Sequence, residues 1–113
     1  MKAVTRIIFL DDNNRKFFGE GPASLLSGIE TYGSLRASAL SMNMAYTKAL
    51  KLMRNAEETL GFKLICRSKG GKGGGGSRLT AEGKEWLNRY ETYTDACRLA
   101  NSRLYMEYFS DQR

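Results

Sequence analysis

The chain has 113 residues, with 18 Lys and Arg against 12 Asp and Glu, a net charge of +6, and no histidine. That length fits one domain with a modest core; no apolar run reaches the roughly 20 residues a membrane span needs, and Met1-Lys2 is not followed by the apolar stretch of a signal peptide, so a soluble cytoplasmic protein is expected. Without histidine the commonest general base and metal ligand is missing, and Cys66 and Cys97 lack metal-site spacing, so packed thiols are expected, with no enzymatic activity, metal or cofactor.

Residues 3–10 are rich in β-branched and aromatic types and end at Asp11-Asp-Asn-Asn14, after which residues 15–18 make a second short run, so a β-hairpin is expected. Gly19-Glu-Gly-Pro22 punctuates, and the proline suits a helix start. Residues 23–32 then place Leu25, Leu26, Ile29 and Tyr32 on one helical face before Gly33, a C-terminal stop. Ser34 can cap a second, short helix with Leu35, Ala39 and Met42 inward. Asn43 tolerates the left-handed backbone of a tight turn. Residues 44–60 form a third helix, with Ala45, Ala49, Leu52, Met53, Ala56 and Leu60 as its apolar stripe and Thr47, Lys48, Lys51, Arg54 and Asn55 off it. A helix, a short turn and a second helix make a helix-turn-helix, whose second member reads base edges from a major groove.

Gly61 ends the third helix, and strands over 62–67 and 78–80 flank a tip that reads Gly70-Gly-Lys-Gly-Gly-Gly-Gly76. Glycines of this density bury nothing, so the tip is expected to be exposed and mobile, the wing of a winged helix. Arg67, Lys69, Lys72 and Arg78 surround it, and no acid interrupts them from Lys63 to Thr80. Residues 33–80 carry nine bases against two acids, Glu57 and Glu58, a local charge of +7, while the rest of the chain carries nine bases and ten acids. A polyanion is the partner such a concentration fits. Residues 71–76 also spell GxGxxG, but no second parallel strand follows and Glu91 lies inside a helix, so the dinucleotide reading fails; Lys72 precedes Gly73 and not Ser or Thr, so the Walker pattern fails too.

Residues 81–109 read as one long helix, in which Leu87, Tyr90, Thr94, Cys97, Asn101, Leu104 and Tyr108 recur at spacings of three and four, the seam of a two-helix contact. Self-association through Leu87, Tyr90, Cys97, Leu104 and Tyr108 is the expectation. The resulting plan is an α+β winged helix-turn-helix, with an N-terminal hairpin over 3–21, the helix-turn-helix over 22–60, the wing over 61–80 and a long dimerisation helix over 81–110.

Gly33-Ser34-Leu35, Tyr46, Ala49, Gly61-Phe-Lys-Leu64, the glycine tip, Arg78-Leu-Thr80, Gly83 and Tyr90 together resemble the N-terminal DNA-binding domain of the ModE family of molybdate-responsive transcriptional regulators, related to the LysR-type winged helix-turn-helix, over roughly residues 3–95. The resemblance implies a homodimer on a palindromic operator in double-stranded DNA. It places recognition at Ala45, Tyr46, Thr47, Lys48 and Lys51 and wing contacts at Arg67, Lys69, Lys72 and Arg78. Ala45 and Thr47 stand where the family has Ser and Lys, which removes a helix cap and a DNA contact. The chain stops where the family's molybdate-binding domains would begin, so a DNA-binding member without effector sensing of its own is expected.

Overall fold

In the computed structural model of the chain, which describes residues 1–68 and 76–110, four helices and two small antiparallel hairpins form an α+β arrangement among the described residues. Strand β1 (Phe9–Leu10) pairs with β2 (Lys16–Phe18). The turn between them is organised by the Asp11 carboxylate, which accepts from the N–H groups of Asn13 (2.8 Å) and Arg15 (3.0 Å), with Asn14 left-handed at φ 61°. Helix α1 (Glu20–Tyr32) begins before Pro22 rather than after it, because a proline in the first turn gives up only an N–H that no helix residue would accept.

Gly33, at φ 83°, ends α1 by donating its N–H to Ile29 C=O (2.8 Å). Ser34 then starts α2 (Leu35–Ser41), its hydroxyl accepting from Ala37 N–H at 3.0 Å. Helix α3 (Tyr46–Leu60) starts two residues later than expected, since Met44 N–H is taken back to Ala39 C=O (2.9 Å) and Asn43 turns the chain at φ 54°. Gly61, at φ 84°, ends it.

Strand β3 (Ile65–Ser68) pairs with β4 (Gly76–Leu79) in the register Ile65↔Leu79 to Ser68↔Gly76. Residues 62–64, expected in this strand, stay outside it. Glu57, near the end of α3, draws in the N–H groups of Leu64 (2.8 Å) and Ile65 (3.3 Å), while Leu64 C=O accepts from Thr80 N–H (2.9 Å). Helix α4 (Ala81–Phe109) follows with the bounds the sequence implies, capped by the Thr80 hydroxyl on Gly83 N–H (2.9 Å).

Phe18, Leu25, Leu26, Ile29, Met53 and Leu64 are fully buried, joined by Leu35, Ala39, Ala49, Ala56, Leu79, Leu87 and Tyr90, so α1, α2, α3, both hairpins and the first half of α4 share one core. The second hairpin is tied to the end of α1 as well, because Ser77 N–H donates to Gly33 C=O at 2.8 Å.

Residues 1–8 do not continue the first hairpin as a paired strand. They run along α4, which supplies side-chain donors: Tyr90 Oη to Ile7 C=O (2.7 Å), Asn101 Nδ2 to Ala3 C=O (3.3 Å) and Tyr105 Oη to Met1 C=O (3.0 Å). Thr5, Ile7 and Phe9 are half-buried while Val4, Arg6, Ile8 and Leu10 are exposed, the alternation of an extended segment with one covered face. No helix among the described residues is long and apolar enough to cross a membrane.

Candidate nucleic-acid interface

Helix α3 separates its two faces cleanly. Ala49, Met53 and Ala56 are buried against the core, while Thr47, Lys48, Lys51, Arg54 and Asn55 are exposed. Asn55 also reaches Lys16 C=O at 3.4 Å. The basic side chains therefore project from a helix whose opposite face is fixed by packing, a platform that holds them in a repeatable geometry. Ala45 occupies the N-cap position in extended backbone and supplies no side-chain acceptor, as expected from its identity.

Tyr46, the first residue of α3, is half-buried, and the Arg36 guanidinium of α2 lies over its ring at 4.1 Å from the centroid. Arg36 was not among the residues singled out in the sequence. The two are ten positions apart, and only the tight turn over residues 42–45 brings their helices into register. An arginine on the solvent side of the helix preceding an aromatic helix start is the signal, and it is weak until that turn is known.

The acids of the basic segment also sort themselves. Glu57 has a side chain only 11% exposed and spends its carboxylate on Leu64 and Ile65, with Lys63 Nζ at 3.7 Å. Glu58 is exposed and lines a groove with Asp11, Asp12, Arg15 and Asn55. Acidic character is thus gathered at the C-terminal end of α3, and its N-terminal half, with Lys48 and Lys51, is left positive.

No protein-family model matches the chain, and no curated protein does.

The second hairpin distributes its cations differently from the expectation of one basic cluster. Arg67 pairs with Ser77 and Arg78 with Cys66, adjacent rows of the ladder, and successive rows point to opposite faces. Arg67 and Arg78 are both exposed, but on opposite sides of the ribbon. Lys69 and Lys72 lie outside the described residues.

The seam expected on α4 divides in two. Leu87 and Tyr90 are 4% and 5% exposed and belong to the chain's own core, and Thr94 is buried with them. These positions are filled from within because α1, β2 and residues 7–9 cover that stretch of the helix, so Leu87 and Tyr90 are corrected from dimer contacts to core residues. Further along, Asn101 and Tyr105 hold residues 1–3. What stays open is the flank beside the seam. Leu104 is 52% and Tyr108 69% exposed, Cys97 is half-buried, and Tyr93 and Ala100 share that flank at spacings of four, three, four and four. The Cys97 thiol beside Tyr93 pushes its phenol above the ordinary value, as neighbours on one flank would.

Proposed function

We propose that the chain is a winged helix-turn-helix protein that binds double-stranded DNA as a homodimer and regulates transcription, in the manner of the ModE-family DNA-binding domain it resembles. On this reading α2, the turn over residues 42–45 and α3 are the helix-turn-helix, α3 enters the major groove, and β3 and β4 form the wing. The observation that carries the reading is the exposed basic face of α3, where Thr47, Lys48, Lys51 and Arg54 project while Ala49, Met53 and Ala56 pin the helix to the core. Family resemblance alone extends the proposal to genes of molybdate uptake or of molybdoenzymes. The homodimer is assigned to the open flank of α4, with Tyr93, Cys97, Ala100, Leu104 and Tyr108.

Salt-titrated binding to duplex DNA tests the proposal, with selection from a random duplex pool to find the preferred site. Each neutralised phosphate adds about 0.9 to the slope of log affinity against log salt. Exposed cations at Arg36, Lys48, Lys51, Arg54, Arg67 and Arg78 therefore call for a slope of several units. A chain that ignores duplex DNA at low salt sinks the reading. A protein-interaction module is the second reading, favoured by Leu99, Met106 and Phe109, which are exposed on the other side of α4 from the proposed dimer flank.

A further inference from the structure

We propose that Arg36 and Tyr46 act as a two-residue clamp on one backbone phosphate of a DNA duplex, with the tyrosine ring holding the guanidinium in position and the guanidinium making the contact; the inference rests on the DNA-binding reading above. The guanidinium carbon of Arg36 is 4.1 Å from the centroid of the Tyr46 ring. With its carbon over the ring face, the guanidinium turns one side to the tyrosine and keeps N–H donors on the sides away from it. Among the described residues Arg36 makes neither an ion pair nor a hydrogen bond, so none of those donors is committed to a described residue. A cation held by an aromatic face, with its donors free, suits a planar two-point contact to phosphate oxygens.

The position of Arg36 points to backbone, not base. It sits on α2, and the first helix of a helix-turn-helix crosses the DNA backbone while its successor lies in the groove. Gly33, three residues before it, holds strand β4 through Ser77 N–H, near the row where the hairpin runs on into its tip, so the clamp stands between the proposed reading helix and the proposed wing. The contact also changes what Tyr46 can do. With one face of its ring covered by Arg36, Tyr46 offers the duplex its hydroxyl and ring edge.

The test is a salt-titrated binding series on the selected duplex and on random duplex, using wild type, Arg36→Ala, Arg36→Lys, Tyr46→Phe, Tyr46→Leu and the Arg36→Ala/Tyr46→Leu pair. Arg36→Ala should weaken both duplexes alike, on the order of tenfold, and lower the salt slope by about 0.9, the share of one phosphate. Arg36→Lys should keep the slope and lose part of the affinity, since an ammonium supplies charge without the planar fork. Tyr46→Phe should preserve the Arg36 contribution, and Tyr46→Leu should make the further Arg36→Ala change cost distinctly less than it does in wild type. Thermal unfolding midpoints should stay near wild type for the Arg36 variants, because the side chain is exposed. Loss of sequence preference in Arg36→Ala would make it a base contact and overturn the clamp. Unchanged affinity and slope in Arg36→Ala, with wild type still binding in a salt-dependent way, would overturn the clamp and leave DNA binding standing. Failure of wild type to bind any duplex would remove both.

Discussion

Replacing Gly83 with alanine tests how the long helix is joined to the second hairpin. A Cβ at Gly83 would fall onto the Leu64 carbonyl oxygen and stand 2.9 Å from the Leu64 carbonyl carbon and 3.1 Å from its Cα. Leu64 has nowhere to retreat. Its N–H donates to Glu57 at 2.8 Å, its C=O accepts from Thr80 at 2.9 Å, and its side chain is fully buried. Moving α4 away from Leu64 breaks the Thr80–Leu64 bond, about 0.5–1.5 kcal/mol, loosens the Thr80 cap, about 1 kcal/mol, and leaves overpacking of about 1–3 kcal/mol. Alanine's better helix propensity offsets at most about 1 kcal/mol of this. The expected net loss is about 2–4 kcal/mol, or roughly 10–20 °C in the unfolding midpoint of a domain this size. Urea unfolding followed by circular dichroism measures it, with Gly21→Ala as the comparison, since a Cβ there meets nothing within 4 Å. Gly21→Ala should match wild type or exceed it. A Gly83→Ala protein with the wild-type urea midpoint and an unchanged m value would mean that α4 and Leu64 separate freely, and the reasoning from contact would be refuted.

A Gly28→Ala side chain would overlap Ser38 Oγ and come within 2.9 Å of Ser38 Cβ, so the single change should cost about 1–3 kcal/mol. Adding Ser38→Gly should return part of that loss, and thermal unfolding that finds the two losses simply additive would count against this contact between α1 and α2. Leu104→Asp should leave the fold intact and weaken the proposed self-association, whereas Leu87→Asp should unfold the protein, because Leu87 is in the core; light scattering on Leu104→Asp that matches wild type at high concentration would take that flank of α4 out of the proposed dimer. Burial and then the Glu20 carboxylate raise the Tyr90 phenol above its ordinary 10.0, against a lowering by Arg98. Folding therefore favours its neutral form, a contribution that is whole below the unfolded value and drains away as pH climbs through the raised one. Tyr90→Phe should accordingly lose less stability above pH 10 than wild type does, and urea midpoints with identical alkaline slopes would contradict this. Lys48→Ala should cost about 1–3 kcal/mol on the preferred duplex and less on random DNA if it reads a base, while Arg78→Ala, as a phosphate contact, should weaken both alike; the reverse pattern in a competition assay would exchange base reader and phosphate contact.

Local structure was legible wherever one residue settles its own backbone. Gly33 and Gly61 end their helices at φ 83° and 84°, Ser34 and Thr80 cap the helices that follow them, and Asn43 turns the chain, each from chemistry carried within a few positions. The bounds of α4 follow from Thr80 and the absence of proline. What the pattern could not assign was partners. Residues 3–8 have the composition of a strand, but the Ala3 and Ile7 carbonyls accept from side chains of Asn101 and Tyr90, more than 80 positions away. Spacing placed Leu87, Tyr90 and Leu104 on one seam, yet the core fills the first two and leaves the third open, because coverage depends on where α1 and the N-terminal segment lie.

Charge was legible as a segment and not as a surface. The basic excess of residues 33–80 is plain in the sequence. Only the tertiary structure turns Glu57 inward to hold Leu64, sets Arg67 and Arg78 on opposite faces of a ribbon, and lays Arg36 over Tyr46. The physical reason is range. Propensity, capping and periodicity act over one or two turns of chain and are written in neighbouring residues, whereas the direction in which a charge finally points is decided by which distant backbone or ring comes to lie beside it.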